Sequence, residues 1–439
     1  RGNRMRTPRD PRPWRPTWAH LQASIIGSTL LLLALLLHRP DVAVIGSPLV
    51  IIAVWATVTR PHGEPEVTYP AAFPVVREGE TLRWHAEVAP PQGLQQTALM
   101  FERSPYLTLD PTSGVVQSSV RTGEGGTALG VALRSTRWGT RPAGRALVAA
   151  TSSWAGFQWG PVELDPAPLT TLPLPAVFDA GAPAPHPVGL VGLNRSARPG
   201  DGSEFASIRP FQHGDRLRRI HWPVSLRAGE LHVSSTWADQ DTQVMLVVDA
   251  LNDLGESAGI DGVASSLDVT VRAAGAMAEH FLRHGDRVGL RVLGPSAHLR
   301  VSPAAGQNHL RRVLHRLAAV TPGTRVPGVA ETLQLGIGAG TMVVLLSACI
   351  SSVTLQQAVV LARRGLTVIV VDTLPAGMAG QDEPWAALAW RIRRLERAME
   401  MRQVTQAGVP IVQWAGPGSL DQVLRDLARR SGAPRMARR

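Results

Sequence analysis

The sequence predicts a multidomain chain: a two-helix transmembrane hairpin, then an antiparallel β-sandwich, then a doubly wound α/β domain. Three observations carry that prediction. Two uncharged apolar runs lie near the N-terminus, a middle stretch alternates apolar and polar residues, and the C-terminal half alternates buried-strand patterns with helical ones. The 439 residues suit two or three domains at roughly 100–200 residues each. The expected organisation is a basic cytoplasmic N-terminus over 1–20, the hairpin over 21–59, the sandwich over 64–178 and a Pro/Ala/Gly linker over 179–199. An Arg-rich signature with the α/β domain follows over 200–432, and a basic tail over 433–439.

Composition removes several functions. The sequence contains no lysine, so all 45 basic residues are arginine, set against 34 Asp and Glu for a net charge of +11. Without lysine there is no P-loop lysine, no Schiff-base lysine and no Ser-Lys dyad, which argues against an NTPase. Cys349 alone allows neither a disulfide scaffold nor a zinc site built from paired cysteines. The positive charge suits nucleic acid, anionic lipid or an acidic protein, and its placement decides among them.

The hairpin rests on the runs Leu21 to Leu37 and Val42 to Thr59, each about as long as the minimum for crossing hydrocarbon. His38-Arg39-Pro40-Asp41 separates them, and Gly46 and Pro48 are the helix-weakening residues of the second. Arg1, Arg4, Arg6, Arg9, Arg12 and Arg15 precede the first run, with Asp10 the only acid, whereas the turn carries Arg39. The positive-inside rule then puts the N-terminus in the cytoplasm and, after two spans, everything beyond Arg60 as well. Met5 is a second candidate start, which weakens that bias without reversing it. Trp14, Trp18 and Trp55 are expected at the membrane interfaces. A signal peptide fits poorly, because His38-Arg39-Pro40 is no small-residue cleavage site and a second span follows directly.

Between Glu66 and Pro175 no 3.6-residue period runs. Thr81 to Val88 places Leu82, Trp84, Ala86 and Val88 on one face, and similar short runs recur at Thr97 to Phe101, Gly114 to Val120, Ala128 to Leu133, Ala146 to Ala150 and Val162 to Leu164. Pro90-Pro91, Asp110-Pro111, Gly125-Gly126 and Gly160-Pro161 punctuate them at sandwich spacing. His85 lies among aliphatics and reads as structural. Ala180 to Pro199 reads as an extended linker.

The densest cluster of unusual residues runs from Gly200 to Val233. It sets Glu204, Asp215 and Glu230 among Arg209, Arg216, Arg218, Arg219 and Arg227, around Phe205, Phe211 and Trp222. Such a composition offers bidentate Arg–carboxylate pairing. One reading is a loop stapled onto its own domain; the other is a docking surface for a partner, with Glu204, Arg209, Asp215, Arg219, Trp222 and Arg227 as its residues. Nucleic acid is not expected, because the acids interleave with the arginines and leave no basic stripe.

From Gln243 the α/β pattern begins. Val244 to Asp249 reads as a buried parallel strand ending in a carboxylate. A helix over Ser266 to His284 follows, with strands at Arg287 to Leu293 and near His298 to Val301. Next come helices over Asn308 to Leu317 and Val329 to Leu335, strands at Thr341 to Leu346 and Leu366 to Val371, and a helix over Leu355 to Arg364 between them. Gly336-Ile337-Gly338-Ala339-Gly340 precedes a strand, so it is a very weak dinucleotide signal.

Gly202, Glu204-Phe205, Arg209, Gly214-Asp215, Arg219-Ile220, Trp222, Ser225, Arg227, Glu230-Leu231, Val233 and the strand ending at Asp249 together resemble a known family. It is the bacterial membrane proteins with the domain of unknown function fifty-eight, whose C-terminal part looks like a von Willebrand factor A fold. Trp154-Ala155-Gly156-Phe157 also resembles that family. The resemblance implies a two-span anchor, a β-domain, a cytoplasmic von Willebrand factor A-like domain and a MoxR-type AAA+ ATPase as partner. It also implies a Mg2+ site of the form Asp-x-Ser-x-Ser with a Thr and an Asp from later loops. Here that set is degenerate: Asp249-Ala250-Leu251-Asn252-Asp253 keeps Asp249 and Asp253, Thr324 matches the Thr, and Ser347-Ala348-Cys349 stands where the second Asp is expected.

Trp385, Leu388, Ile392, Leu395 and Met399 mark an apolar face on a helix from Pro384 to Arg402, with Arg391, Arg393, Arg394 and Arg397 opposite. That face is expected to pack on the sheet, with a membrane surface as the alternative. A last helix is expected over Ser419 to Arg430, leading into a basic tail expected to be disordered. The function expected is a non-enzymatic membrane adaptor. The alternatives are a structural envelope protein, or a metal-dependent hydrolase using Asp249, Asp215 and His213 or His221. Composition leaves the oligomeric state undetermined.

Overall fold

A computed structural model of the chain describes residues 5–6, 13–120, 126–174, 199–212, 215–237, 243–283, 285–323, 341–375, 378 and 384–415. The chain divides into two compact units, Arg1–Leu172 with Ala258–Gly262, and Pro173–Ser257 with Val263–Arg439.

The first unit opens with two short strands, β1 (Met5–Arg6) and β2 (Arg15–Pro16), then helices α1 (Trp18–Leu37) and α2 (Pro40–Val58). Thr17 caps α1 by accepting from His20 N at 3.2 Å, and His38 closes it in the left-handed region. Pro40, whose missing N–H costs nothing in the first turn, starts α2. Both helices are long and apolar enough to cross a membrane, and they are apolar on every side: Ile25, Leu35, Val44 and Ile51 are all exposed. They pack through small residues. A Cβ added at Gly46 would lie 2.8 Å from Leu30 Cβ, so this glycine, weak in helix propensity, is what lets α2 approach α1.

Strands β3 (Glu66–Pro70), β4 (Val76–Arg77), β5 (Thr81–Ala89), β6 (Leu94–Phe101), β7 (Leu107–Asp110), β8 (Val115–Ser119) and β9 (Thr127–Ser135) follow. β10 (Gly139–Pro142), β11 (Ala146–Ser152), β12 (Phe157–Leu164) and β13 (Pro168–Leu172) complete the set. Two five-stranded sheets, β1-β3-β5-β9-β7 and β2-β12-β11-β6-β8, enclose one core, and β10-β13-β4 forms a smaller sheet. The expected alternation is observed in β5, where Leu82, Trp84, Ala86 and Val88 are buried and their neighbours are not. Trp84 meets Phe101 of the facing sheet edge-on at 5.4 Å between ring centroids. Arg134 forks Asp261 at 2.5 and 3.0 Å within this unit.

Two details differ from the sequence reading. Trp14, expected at a membrane interface, is 6% exposed in the sandwich core and donates its indole N–H to Gly63 O at 2.8 Å. The segment around it, expected as a basic N-terminus, contributes β1 against β3 and β2 against β12. One aromatic in an Arg/Pro-rich stretch looks like a belt residue when its burial partners lie beyond the hairpin in sequence.

Trp154-Ala155-Gly156-Phe157 joins α2 to the sandwich. Thr17 N donates to Gly156 O at 3.0 Å, and Arg60 lies 5.0 Å over the Phe157 ring. A Cβ at Gly156 would fall 2.6 Å from Ala56 Cβ of α2. Gly156→Val should therefore force α2 away from the sandwich and cost about 1–3 kcal/mol. The expected readout is a lower unfolding midpoint in detergent and faster proteolysis near Arg60, with Ala56→Gly partly restoring both.

The second unit begins with the hairpin β14 (Pro199–Pro210) and β15 (His232–Trp237), with α3 (Trp222–Ala228) between them. Then come β16 (Gln243–Asp249), α4 (Ser266–Arg283), β17 (Arg287–Leu293), β18 (Arg300–Ala304), α5 (Gln307–Ala318), β19 (Met342–Ser347), α6 (Ser352–Arg363), β20 (Thr367–Asp372), α7 (Pro384–Gln406) and β21 (Ile411–Gln413). The sheet order is β18-β17-β16-β19-β20-β21, parallel except for the antiparallel edge strand β18. On one face Met245, Val247, Val343, Leu345, Val368 and Val370 pack with Leu355, Ala358 and Leu361 of α6 and Val404 of α7. β18 starts two residues later than expected, because turns closed by Ala297 N to Gly294 O and Leu299 N to Ser296 O extend through Leu299. The expected helices at Val329 to Leu335 and Ser419 to Arg430, and the linker except Pro199, lie outside the described residues.

α7 corrects the sequence reading most. Its apolar face was expected on the sheet, yet Trp385 and Leu395 are 80% and 62% exposed. Arg393 donates instead to Ile350 O and Arg397 to Ala348 O, so the side carrying these two arginines faces the domain, while Arg391 and Arg394 stay exposed. Carbonyls and carboxylates at the strand ends outweigh the apolar stripe in setting the helix's rotation.

Candidate functional site

The signature folds as a hairpin and not as the loop its glycines suggest. Arg209 pairs with Val233 across the two strands, and the Ser207 and Ser235 hydroxyls meet at 2.9 Å. Arg209 forks Asp215 with two contacts of 2.7 Å, and Gln212 N donates to the same carboxylate at 2.8 Å. The Arg209 guanidinium thereby holds the Asp215 carboxyl below the usual carboxylate range. Ser225 is the second brace: its hydroxyl donates to His221 O at 3.0 Å and accepts from His232 N at 2.8 Å, tying α3 to β15. Gly229, at φ +71, ends α3 in the left-handed region that favours glycine.

These braces leave one set of side chains in solvent. Trp222 and Leu226, one turn apart on α3, are 58% and 80% exposed, and Phe205, Leu217 and Leu231 are exposed too. Arg216, Arg218 and Arg227 are exposed as well, while Arg219 is half-buried in the 3-10 turn Leu217–Arg219. Glu204 lies in β14. The predicted docking residues therefore separate: Arg209 and Asp215 brace the hairpin, whereas Trp222 and Arg227 face outward. Leu217 and Leu226 were missed, because an apolar residue beside arginines reads as core until the fold shows nothing covering it.

The second cluster lies at the C-terminal edge of the parallel sheet, at the ends of the neighbouring strands β16 and β19, where the strand order reverses and such folds place ligands. Asp249 is buried there. Ser347 and Thr354 hydroxyls donate to its Oδ2 at 2.5 and 2.8 Å, and Leu251 N donates to Oδ1 at 3.0 Å. Burial pushes its pKa up, and these three donors only partly offset that. Asp253 accepts from Leu267 N at 3.0 Å at the start of α4. Asp372, at the end of β20, forms a buried ion pair with Arg397 of α7 at 2.5 Å and accepts from Leu374 N. Cys349 is buried with its thiol pushed up to about 12, the wrong direction for a nucleophile.

Among the described residues the expected Mg2+ set is reduced to Asp249 and Asp253. A hard dication needs several oxygen ligands and charge compensation. Here one carboxylate, its pKa raised, already accepts three hydrogen bonds, and the neighbouring carboxylate is neutralised by Arg397. Among the described residues no group of three or more His, Cys, Asp or Glu could hold a metal. Thr324 lies outside the described residues. The residues of the hydrolase alternative have other partners: Asp215 has Arg209, Asp249 has Ser347 and Thr354, and His221 accepts from Val224 N at the start of α3. His213 is outside the described residues.

Asp249 instead ties two strand ends to the first turn of α6. Asp249→Ala should cost about 2–4 kcal/mol by stranding two buried hydroxyls. A raised folded-state pKa favours the protonated form. Its contribution is complete below the unfolded value of 3.8 and is lost as pH rises through the folded pKa. The penalty of Asp249→Asn should accordingly be largest at acid pH and shrink toward neutrality, as read by thermal melts of the full chain at pH 4 and pH 7.5.

The fold defines a class: a mixed α/β multidomain protein with two helices able to span a membrane and an Arg-rich hairpin on its second unit. Residues 207–381 match the family described as protein of unknown function DUF58. Over 250 residues, 54% of this chain, the sequence is 30% identical to uncharacterized protein Rv1480 of Mycobacterium tuberculosis (strain ATCC 25618 / H37Rv), covering 70% of that relative. Uncharacterized protein Mb1516 of Mycobacterium bovis matches with the same identity and coverage. The chain belongs to the DUF58 family.

Proposed function

We propose that this chain is a non-enzymatic, membrane-anchored adaptor whose second unit, a von Willebrand factor A-like domain, docks a cytoplasmic MoxR-type AAA+ ATPase or its client. The observation that carries this reading is the exposed apolar set Trp222, Leu226 and Leu217, together with the exposed Arg216, Arg218 and Arg227, on a braced hairpin. Trp and Arg on a rigid support are the residues that dominate protein interfaces, and the arginines select an acidic rim on the partner. The sheet order around an acid-ended central strand supports the von Willebrand factor A-like reading. The basic flank before α1 supports a bacterial plasma-membrane location with both termini cytoplasmic.

The test is to solubilise the full tagged chain in mild detergent with Mg2+ and a non-hydrolysable ATP analogue. A stoichiometric MoxR-type ATPase in the purified complex, identified by mass spectrometry, is the expected result. A folded chain that emerges alone would shift the reading to a structural envelope component.

A further inference from the structure

Helix α7 turns its polar side toward its own domain and its apolar seam toward solvent. Trp385, Leu388, Ile392, Leu395 and Met399 are 80%, 49%, 50%, 62% and 56% exposed. On the other side Trp390 donates to Met378 O at 3.1 Å, Arg397 to Ala348 O at 2.9 Å, and Val404 is buried in the core. The seam residues are spaced three, four, three and four apart, the heptad repeat of a coiled coil, with Trp385, Ile392 and Met399 at a and Leu388 and Leu395 at d. In that frame Trp390, Arg393, Arg397, Glu400 and Val404 take b and f, the positions farthest from a partner helix. Those are the ones facing the domain. A contiguous apolar row of this size is unfavourable in water and marks an interaction surface.

We infer that α7 is a homodimerisation helix, its seam packing in parallel against the same seam of a second copy of this chain. Two features select that occupant. Ile392 at a between Leu388 and Leu395 at d is the combination that favours two parallel strands. The flanking charges also match. Arg391 is at g and Glu396 at the following e, so in a parallel pair Arg391 meets Glu396 of the partner subunit, and the two-fold repeats the contact. Arg391 is exposed; Glu396, half exposed, already pairs with Arg393 of its own helix at 2.9 Å, so the contact across the seam adds a second arginine. A lipid surface fits less well, because it would bring Glu396 against anionic headgroups. The helix starts three residues beyond the matched family segment, so it is not part of that segment.

The test uses the full chain in mild detergent. Cys349 is the only native cysteine and is buried, so Leu388→Cys gives a clean probe. Mild oxidation should produce a disulfide-linked dimer, since d positions face each other across a parallel axis. Ala387→Cys, one residue off the seam, should not cross-link, and adding Ile392→Asp to Leu388→Cys should abolish the product. Light scattering should show a wild-type dimer that Arg391→Glu weakens and that Arg391→Glu with Glu396→Arg restores. Equal cross-linking at 387 and 388, or a monomer throughout, would overturn the inference. So would a monomer whose Leu388→Cys thiol is shielded by anionic phosphatidylglycerol vesicles, which would give the seam to lipid.

Discussion

Arg397→Met is expected to destabilise the second unit by about 3–5 kcal/mol, the cost of leaving one half of a buried ion pair behind. Arg397 and Asp372 are 12% and 8% exposed, and their charged atoms lie 2.5 Å apart. Removing the guanidinium strands the Asp372 carboxylate with one backbone donor, Leu374 N, and frees the Ala348 carbonyl that Arg397 Nε holds at 2.9 Å. The same change loosens α7, which keeps Arg393 to Ile350 O as a polar tie among the described residues. A thermal melt should show a large drop in midpoint. The double variant Arg397→Met with Asp372→Leu should recover most of it, because an apolar pair of similar volume replaces both charges. If the single variant melted like the wild type, the pair would not be what holds α7 to the sheet.

Trp222→Ala should leave the fold intact and weaken partner binding by about 2–4 kcal/mol, roughly 30-fold to 1000-fold. The indole is 58% exposed and begins α3, whose attachment rests on Ser225, His221 and His232 and not on the tryptophan. Leu226→Ala should act in the same direction with a smaller loss. Arg209→Ala should reduce binding indirectly, by releasing Asp215 and the turn it organises, and should therefore also change proteolysis of the hairpin. That difference separates a side chain that touches the partner from one that shapes the surface. Unchanged affinity for Trp222→Ala, with circular dichroism and melting also unchanged, would remove the hairpin as the docking face.

Much of the architecture was legible in the chain because its patterns are periodic. The alternation in Thr81 to Val88, the apolar run ending at Asp249 and the two uncharged spans each correspond to an observed element. Side-chain direction was less legible wherever it depended on distant partners. The stripe on α7 obeys the rule for a helix packed on a sheet, but Arg397 found Asp372, 25 positions earlier, and turned the stripe outward. Trp14 lies before the hairpin and its partners after it, so its burial left no local trace. In the signature, charge and aromatic content set the region apart, while the division into braces and exposed residues needed the register of β14 against β15.

The docking account is tested most directly by placing a photoreactive benzoylphenylalanine at Leu226 in the full chain, embedded in lipid nanodiscs with a purified MoxR-type AAA+ ATPase from the same genome. The account predicts a covalent adduct with the ATPase that disappears when Trp222→Ala is added and is absent when the probe sits at exposed Val263 instead. An ATPase that binds the chain but cross-links equally from both positions, or from neither, would contradict it.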